Sequence, residues 1–119
     1  MTAPWHVQLD GDFEQEVDEW PESVQDELFA NAKVLQEFGP SLGRPRVDTL
    51  RGSRHANMKE LRFNANGGVW RVAFAFDRER RAILLVGGDK RGEDEKRFYK
   101  RLIDIADRRF DSYYGDFRR

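Results

Sequence analysis

Residues 58–87 read MKELRFNANGGVWRVAFAFDRERRAILLVG, and the alternation in this stretch decides the fold. Met58–Asn64, Val69–Asp77 and Ala82–Gly87 each carry the period of two that marks a strand. Asn66-Gly67-Gly68 is a strong hairpin turn signal, and Asp77–Arg81 turns the chain again. Connections this short predict an antiparallel meander. In the middle strand Trp70, Val72, Phe74 and Phe76 share one face, and Val69, Arg71, Ala73 and Ala75 share the other. The large side chains predict a core packed against helices. The small ones beside Arg71 predict an open, shallow face largely free of helix cover.

Before this meander, Trp5–Leu9 reads as a short strand. Asp12 is the expected N-cap of a helix whose apolar positions Phe13, Val17 and Trp20 fall three to four apart. Pro21 breaks it. A second helix opens at Glu22 or Ser23 with a stripe of Val24, Leu28, Ala32, Leu35 and Phe38, and Gly39-Pro40 stops it. Residues 39–56, rich in Gly, Pro and Arg, read as a long loop with at most a turn or two of structure, and such loops are often functional. After the meander, Gly87-Gly88-Asp89-Lys90-Arg91-Gly92 reads as an exit loop. A helix is expected over 93–112, burying Phe98, Leu102, Ile105 or Ala106, and Phe110, with 113–117 fraying or docking. The fold class is therefore α+β: a strand and an N-terminal helical hairpin packed on an antiparallel sheet, with a C-terminal helix, in one domain over 1–119.

Composition narrows the function. The chain has no cysteine, so disulfides and thiol chemistry are excluded. Its two histidines lack ligand spacing, and neither a phosphate loop nor a dinucleotide fingerprint is present, so no metal and no cofactor are expected. The acidic N-terminal segment reads as neither signal nor transit peptide, and no apolar run approaches spanning length, so the expected location is cytoplasmic, away from membranes. The net charge of −1 hides a division: residues 1–38 carry −9, residues 39–119 carry +8, and residues 44–92 alone carry +7. The basic segment fits either ordinary solvated charge or a surface for a polyanion.

The segments LGRPRVDTLRGSRHANMKELRF, GVWRVAFAFD and AILLVGGDKRG, followed by a charged helix containing IADRR, resemble the HigB-like, phage-derived branch of the RelE/ParE toxin superfamily. The resemblance covers Trp5 to about Tyr113. It implies a helical hairpin on an antiparallel sheet and a RelE-like toxin held inactive by a co-expressed antitoxin, expected to be a helix-turn-helix protein of HigA type. HigB- and RelE-like members cut messenger RNA on the ribosome without a metal. ParE-like members poison DNA gyrase and are not nucleases. A third reading is a non-toxic phage-derived accessory protein.

RNA cleavage beside a 2′-hydroxyl needs a proton acceptor, a proton donor for the leaving oxygen, and positive groups for the phosphorane. Arginine suits the last task, because its planar fork matches two phosphate oxygens. The turn at 66–67 places Arg62 opposite Arg71, and the resemblance puts functional arginines at these positions. They equally fit a surface pair neutralised by Glu60. Lys90 joins them as a catalytic candidate. His55, in the basic loop, completes the set, since imidazole can accept or donate a proton near neutral pH; a loop histidine without a role is the other reading. Arg51, Arg54, Lys59, Arg91 and Tyr99 are RNA-binding candidates. Tyr99 could stack on a base, whereas Lys59 reaches the basic set only if its strand twists.

Overall fold

The computed structural model describes residues 4–117, in the order β1 (His6–Leu9), α1 (Gly11–Asp18), α2 (Glu22–Phe38), a 3-10 turn (Gly39–Ser41), β2 (Val47–Thr49), β3 (Met58–Ala65), β4 (Gly68–Phe76), β5 (Arg81–Asp89) and α3 (Glu95–Phe117). The β3–β4 hairpin sets its registration. Asn66 and Gly67 both take positive φ, 51° and 74°, the backbone that lets a two-residue turn follow the right-handed twist of its strands. From that turn the ladder runs without slip from Ala65↔Gly68 to Met58↔Ala75.

β5 continues the meander antiparallel to β4, with one irregularity. Ala73 faces Val86 while Phe74 faces Leu84, so Leu85 is an extra residue of the kind that bends a strand locally. β1 lies parallel to β5 at one edge, and β2 pairs antiparallel with β3 at the other. The sheet is thus mixed, in the order β1-β5-β4-β3-β2. The strand β2 lies inside the segment expected to be a loop. Its three residues are too few to show alternation.

The helical hairpin packs where expected. Phe13, Val17, Val24, Leu28 and Leu35 meet Leu61, Phe63, Trp70, Val72, Phe74 and Leu84 in one core. Phe38 is a correction, since it ends the α2 stripe 52% exposed. The cap of α1 is another. Asp10, not Asp12, accepts from the Asp12 and Phe13 amides at 3.1 and 3.2 Å.

The opposite face is not open. Phe98, Leu102, Ala106 and Phe110 of α3 pack on Met58, Ala73, Ala75, Ile83 and Leu85 in a second core. Ala73 and Ala75 are small because a helix lies on them, and the neighbouring strand supplies the bulk. The sheet is sandwiched between two helical layers. Asp94 starts α3 by accepting from the Arg97 amide at 3.0 Å, two residues later than the sequence suggested. Tyr113 docks, donating to Asp10 Oδ1 at 3.2 Å.

The strand runs past Gly87, its expected end: Gly88 and Asp89 belong to β5 rather than to a loop. A Cβ on Gly87 would stand 2.8 Å from Val72 Cγ2 and 2.9 Å from the Trp20 ring, so this glycine permits close packing of α1's end on the sheet.

Candidate functional site

At the turn end of the sheet, α3 covers the strands only from Phe98 onward, and a polar patch fills the space before it. Arg62 and Arg71 are direct partners across the β3–β4 ladder, and Gly88 lies opposite Arg71 on β5. Arg71 does not project into solvent as expected. It is 7% exposed, beside Glu60 and Tyr99. Its Nη1 donates to the Trp70 carbonyl at 2.9 Å. Its Nε stands 3.6 Å from Glu60 Oε1, too far for a hydrogen bond, and is buried without any hydrogen-bond partner among the described residues. A buried, unsatisfied, charged donor is unusual, and it marks where an incoming oxygen would gain most.

Glu60 is equally buried, and its Oε1 accepts from the Tyr99 hydroxyl at 2.8 Å. Burial pushes the Tyr99 phenol up to about 12; the hydrogen bond and negative charge of Glu60 act the same way, against an opposing effect of Arg71. At neutral pH Tyr99 is therefore a donor and not a base. Arg62 differs from its partner. It is half-buried, and its side chain makes no hydrogen bond or ion pair among the described residues.

The loop after β5 closes one side of the patch. Asp89 Oδ1 accepts from the Val69 and Arg91 amides at 3.0 and 2.9 Å, and Arg91 also donates to the Gly67 carbonyl. Arg91 is thereby tied to the hairpin turn. Lys90 Nζ lies 5.8 Å from the centre of the Tyr99 ring and 2.8 Å from Glu95 Oε1. That ammonium holds the Glu95 carboxyl below the usual carboxylate range. Two shallow hollows flank the pair of buried charges. One is lined by Arg46, Arg62, Asn64 and Arg71 among others, the second by Arg51, Glu60, Lys96 and Tyr99 among others.

The candidates taken from the sequence separate accordingly. Arg62, Arg71, Lys90, Tyr99 and Arg51 come together, with Arg91 at the rim. Lys59 does not join them, because strict alternation keeps it on the face of Leu61 and Phe63. His55 and Arg54 lie at the other end of the sheet. Four strand steps, about 13 Å, separate Arg62 from Met58, which follows their loop. His55 Nε2 meets Asp111 Oδ1 at 2.7 Å and its ring packs edge-on against Phe110. Arg54 pairs with Asp111 and, at 3.8 Å, with Asp107. Both fasten the loop to α3. The hydrogen bond from Arg54, and after it the one with His55, holds the Asp111 carboxyl below its ordinary range. Glu60 and Arg46 were not singled out as site residues in the sequence. The one weak signal for Glu60 was its place two residues before Arg62 on the same face.

Among the described residues no three His, Cys, Asp or Glu side chains are grouped to hold a metal, and no helix is long and apolar enough to cross a membrane.

Comparison with known proteins gives three kinds of match. The profile of the family described as phage derived protein Gp49-like (DUF891) matches residues 15–111. HigB2 of Mycobacterium tuberculosis is 47% identical over 91 residues, covering 76% of this chain and 45% of HigB2, so the chain spans less than half of that relative. HigB3 of the same organism is 50% identical over 80 residues, 67% of this chain and 68% of HigB3. Both are provisionally named as toxins. Among solved structures, a free-state mutant of the E. coli toxin RelE superposes with a TM-score of 0.56 at 13% identity, covering 85% of this chain and 95% of that one. The RelBE2 toxin–antitoxin complex of M. tuberculosis gives 0.56 at 15%, covering 75% and 94%. At such identities these superpositions speak for the fold alone.

Proposed function

This chain belongs to the phage-derived Gp49-like family, and from that premise we propose that it is the toxin of a HigB-type toxin–antitoxin pair, cutting messenger RNA on the ribosome. One observation carries the reading: the cross-strand pair Arg62–Arg71 stands beside a half-buried Glu60–Tyr99 hydrogen bond, with an arginine donor left unsatisfied. Two HigB relatives at about half identity lend it weight.

The roles follow from the chemistry. The 2′-oxygen attacks the neighbouring phosphorus, and the bond from phosphorus to the 5′-oxygen breaks. Arg71 Nε and the free Arg62 guanidinium stabilise the charge that grows on the phosphorane oxygens. Glu60, the buried carboxylate of the patch, takes the 2′-hydroxyl proton. Its ion pair with Arg71 and the bond from Tyr99 hold it in place and aim it. Tyr99, protonated at neutral pH, keeps Glu60 in place and offers a ring face to a base. Lys90, beside that ring, supplies a proton to the leaving 5′-oxygen. These side chains cover every proton and charge of the step.

The partner is a co-expressed antitoxin, of HigA-like helix-turn-helix type, whose acidic segment covers the basic patch. The site of action is the cytoplasm, where ribosomes are. The test is inducible expression in cells with and without the neighbouring gene, followed by mapping of RNA 5′ ends. New 5′ ends within translated messages, suppressed by the partner, support the reading. Intact RNA with gyrase-dependent DNA damage selects the inhibitor alternative, and absence of growth inhibition selects the accessory-protein alternative.

A further inference from the structure

Arg46 stands at the mouth of the first hollow, whose other lining residues are Pro45, Arg62, Phe63, Asn64 and Arg71. It is exposed, yet it is fixed at two points. Its carbonyl accepts from the Arg62 amide at 2.8 Å. Its Nη1 donates to Asn31 Oδ1 at 2.8 Å. Asn31, on α2, is 3% exposed and donates its own Nδ2 to the Glu27 carbonyl at 2.8 Å. That second bond orients the amide, leaving its oxygen for the arginine. A buried asparagine in a helix that otherwise presents Leu28, Ala32 and Leu35 to the core needs such a partner to be tolerated.

Three guanidinium groups therefore converge on one hollow that no carboxylate lines. Folding gains nothing from bringing them together, since like charges repel. Arg71, whose Nε is buried and unsatisfied, is one of the residues that line it. Arg46, Arg62 and Arg71 form a row across three adjacent backbones, about 10 Å wide at ordinary strand spacing. Such a row spans more than the one phosphate undergoing reaction. Pro45 and Phe63 add apolar walls, and Asn64 an exposed amide.

We infer, on the RNA-cleavage reading above, that Arg46 binds a phosphate of the RNA strand next to the reacting one, and that Asn31 is the positioning residue that holds Arg46 for it. Arg46 contributes to substrate binding rather than to the chemical step, because the reacting phosphate is already met by Arg62 and Arg71.

The experiment is steady-state cleavage of messenger RNA on programmed ribosomes by wild type, Arg46→Ala, Arg46→Lys, Asn31→Ala and the double variant, each first checked by thermal unfolding. Arg46→Ala should raise KM about 10-fold with kcat little changed. It should also lower the slope of log(kcat/KM) against log salt by about one. Arg46→Lys should restore the salt slope and part of the affinity. Asn31→Ala should raise KM less, and should add nothing once Arg46 is already alanine; an asparagine acting through the fold alone would still add its effect there. If Asn31→Ala does not fold, the exposed Arg46 variants decide alone. An active wild type whose KM and salt slope are unmoved by Arg46→Ala overturns this inference and leaves the cleavage reading intact. A wild type that cuts no messenger RNA on programmed ribosomes overturns both.

Discussion

Arg62 and Arg71 face each other directly across the β3–β4 ladder, yet they live in different surroundings: Arg71 is 7% exposed beside Glu60, while Arg62 is half-buried without an ion pair. Two like charges opposite one another destabilise a sheet. The arrangement persists because Glu60 compensates the buried member, and the other keeps contact with solvent.

This difference separates the two alanine variants. Arg71→Ala should lower cleavage by about 100-fold and also cost about 3 kcal/mol of stability, because it leaves Glu60 buried without its cation. Arg71→Lys should recover part of the stability and little of the rate, since a point charge lacks the fork. Thermal unfolding beside single-turnover cleavage measures both. An Arg71→Ala protein of unchanged stability would contradict the buried ion pair.

Tyr99 gives a pH prediction. Its phenol is raised from the ordinary 10 to about 12. The folded state thus holds this proton more tightly than the unfolded state. The corresponding stability is complete below pH 10 and is lost as pH rises through about 12. Denaturant midpoints should fall across that window, and less steeply for Tyr99→Phe. The ultraviolet difference spectrum between the two proteins should show a tyrosine that ionises near 12. A tyrosine ionising near 10 in that difference would refute the buried contact with Glu60.

His55, attractive in the sequence for its chemistry, meets Asp111 and packs against Phe110 at the far end of the sheet. His55→Ala should leave the cleavage rate close to wild type. It should cost about 1 kcal/mol through the lost hydrogen bond to Asp111. The readout is cleavage at saturating substrate, and a 100-fold loss in a folded variant would return His55 to the mechanism.

Asp10 is the clearest stability prediction. It caps α1, accepts from Tyr113, and lies 3.8 Å from Arg109 Nε. Asp10→Ala should cost about 1–2 kcal/mol, read by urea unfolding. Asp12→Ala, at the position the sequence favoured for the cap, should be close to neutral.

What the sequence reveals depends on how local the cause is. The Asn66-Gly67 turn and the alternation around it are local, and they yield β3, β4, β5 and the Arg62–Arg71 pairing without knowledge of the rest. The cover on the second face is not local. Ala73 and Ala75 look like an open surface until α3, twenty residues away, is laid on them, and Phe98 to Phe110 then supply the missing bulk. The same distance hides the site's central contact. Glu60 and Tyr99 lie 39 residues apart, and nothing in either neighbourhood announces the other. Arg46 was lost in an arginine-rich segment, where only the amide of Asn31 distinguishes it.

Arg62→Ala tests the central claim most directly, because Arg62 supports no contact that folding needs. The measurement is the single-turnover rate of messenger-RNA cleavage on programmed ribosomes, with the melting temperature of the same preparation. The account predicts a loss of about 100-fold in rate with an unchanged melting temperature. A folded Arg62→Ala protein that cuts at close to the wild-type rate would contradict it.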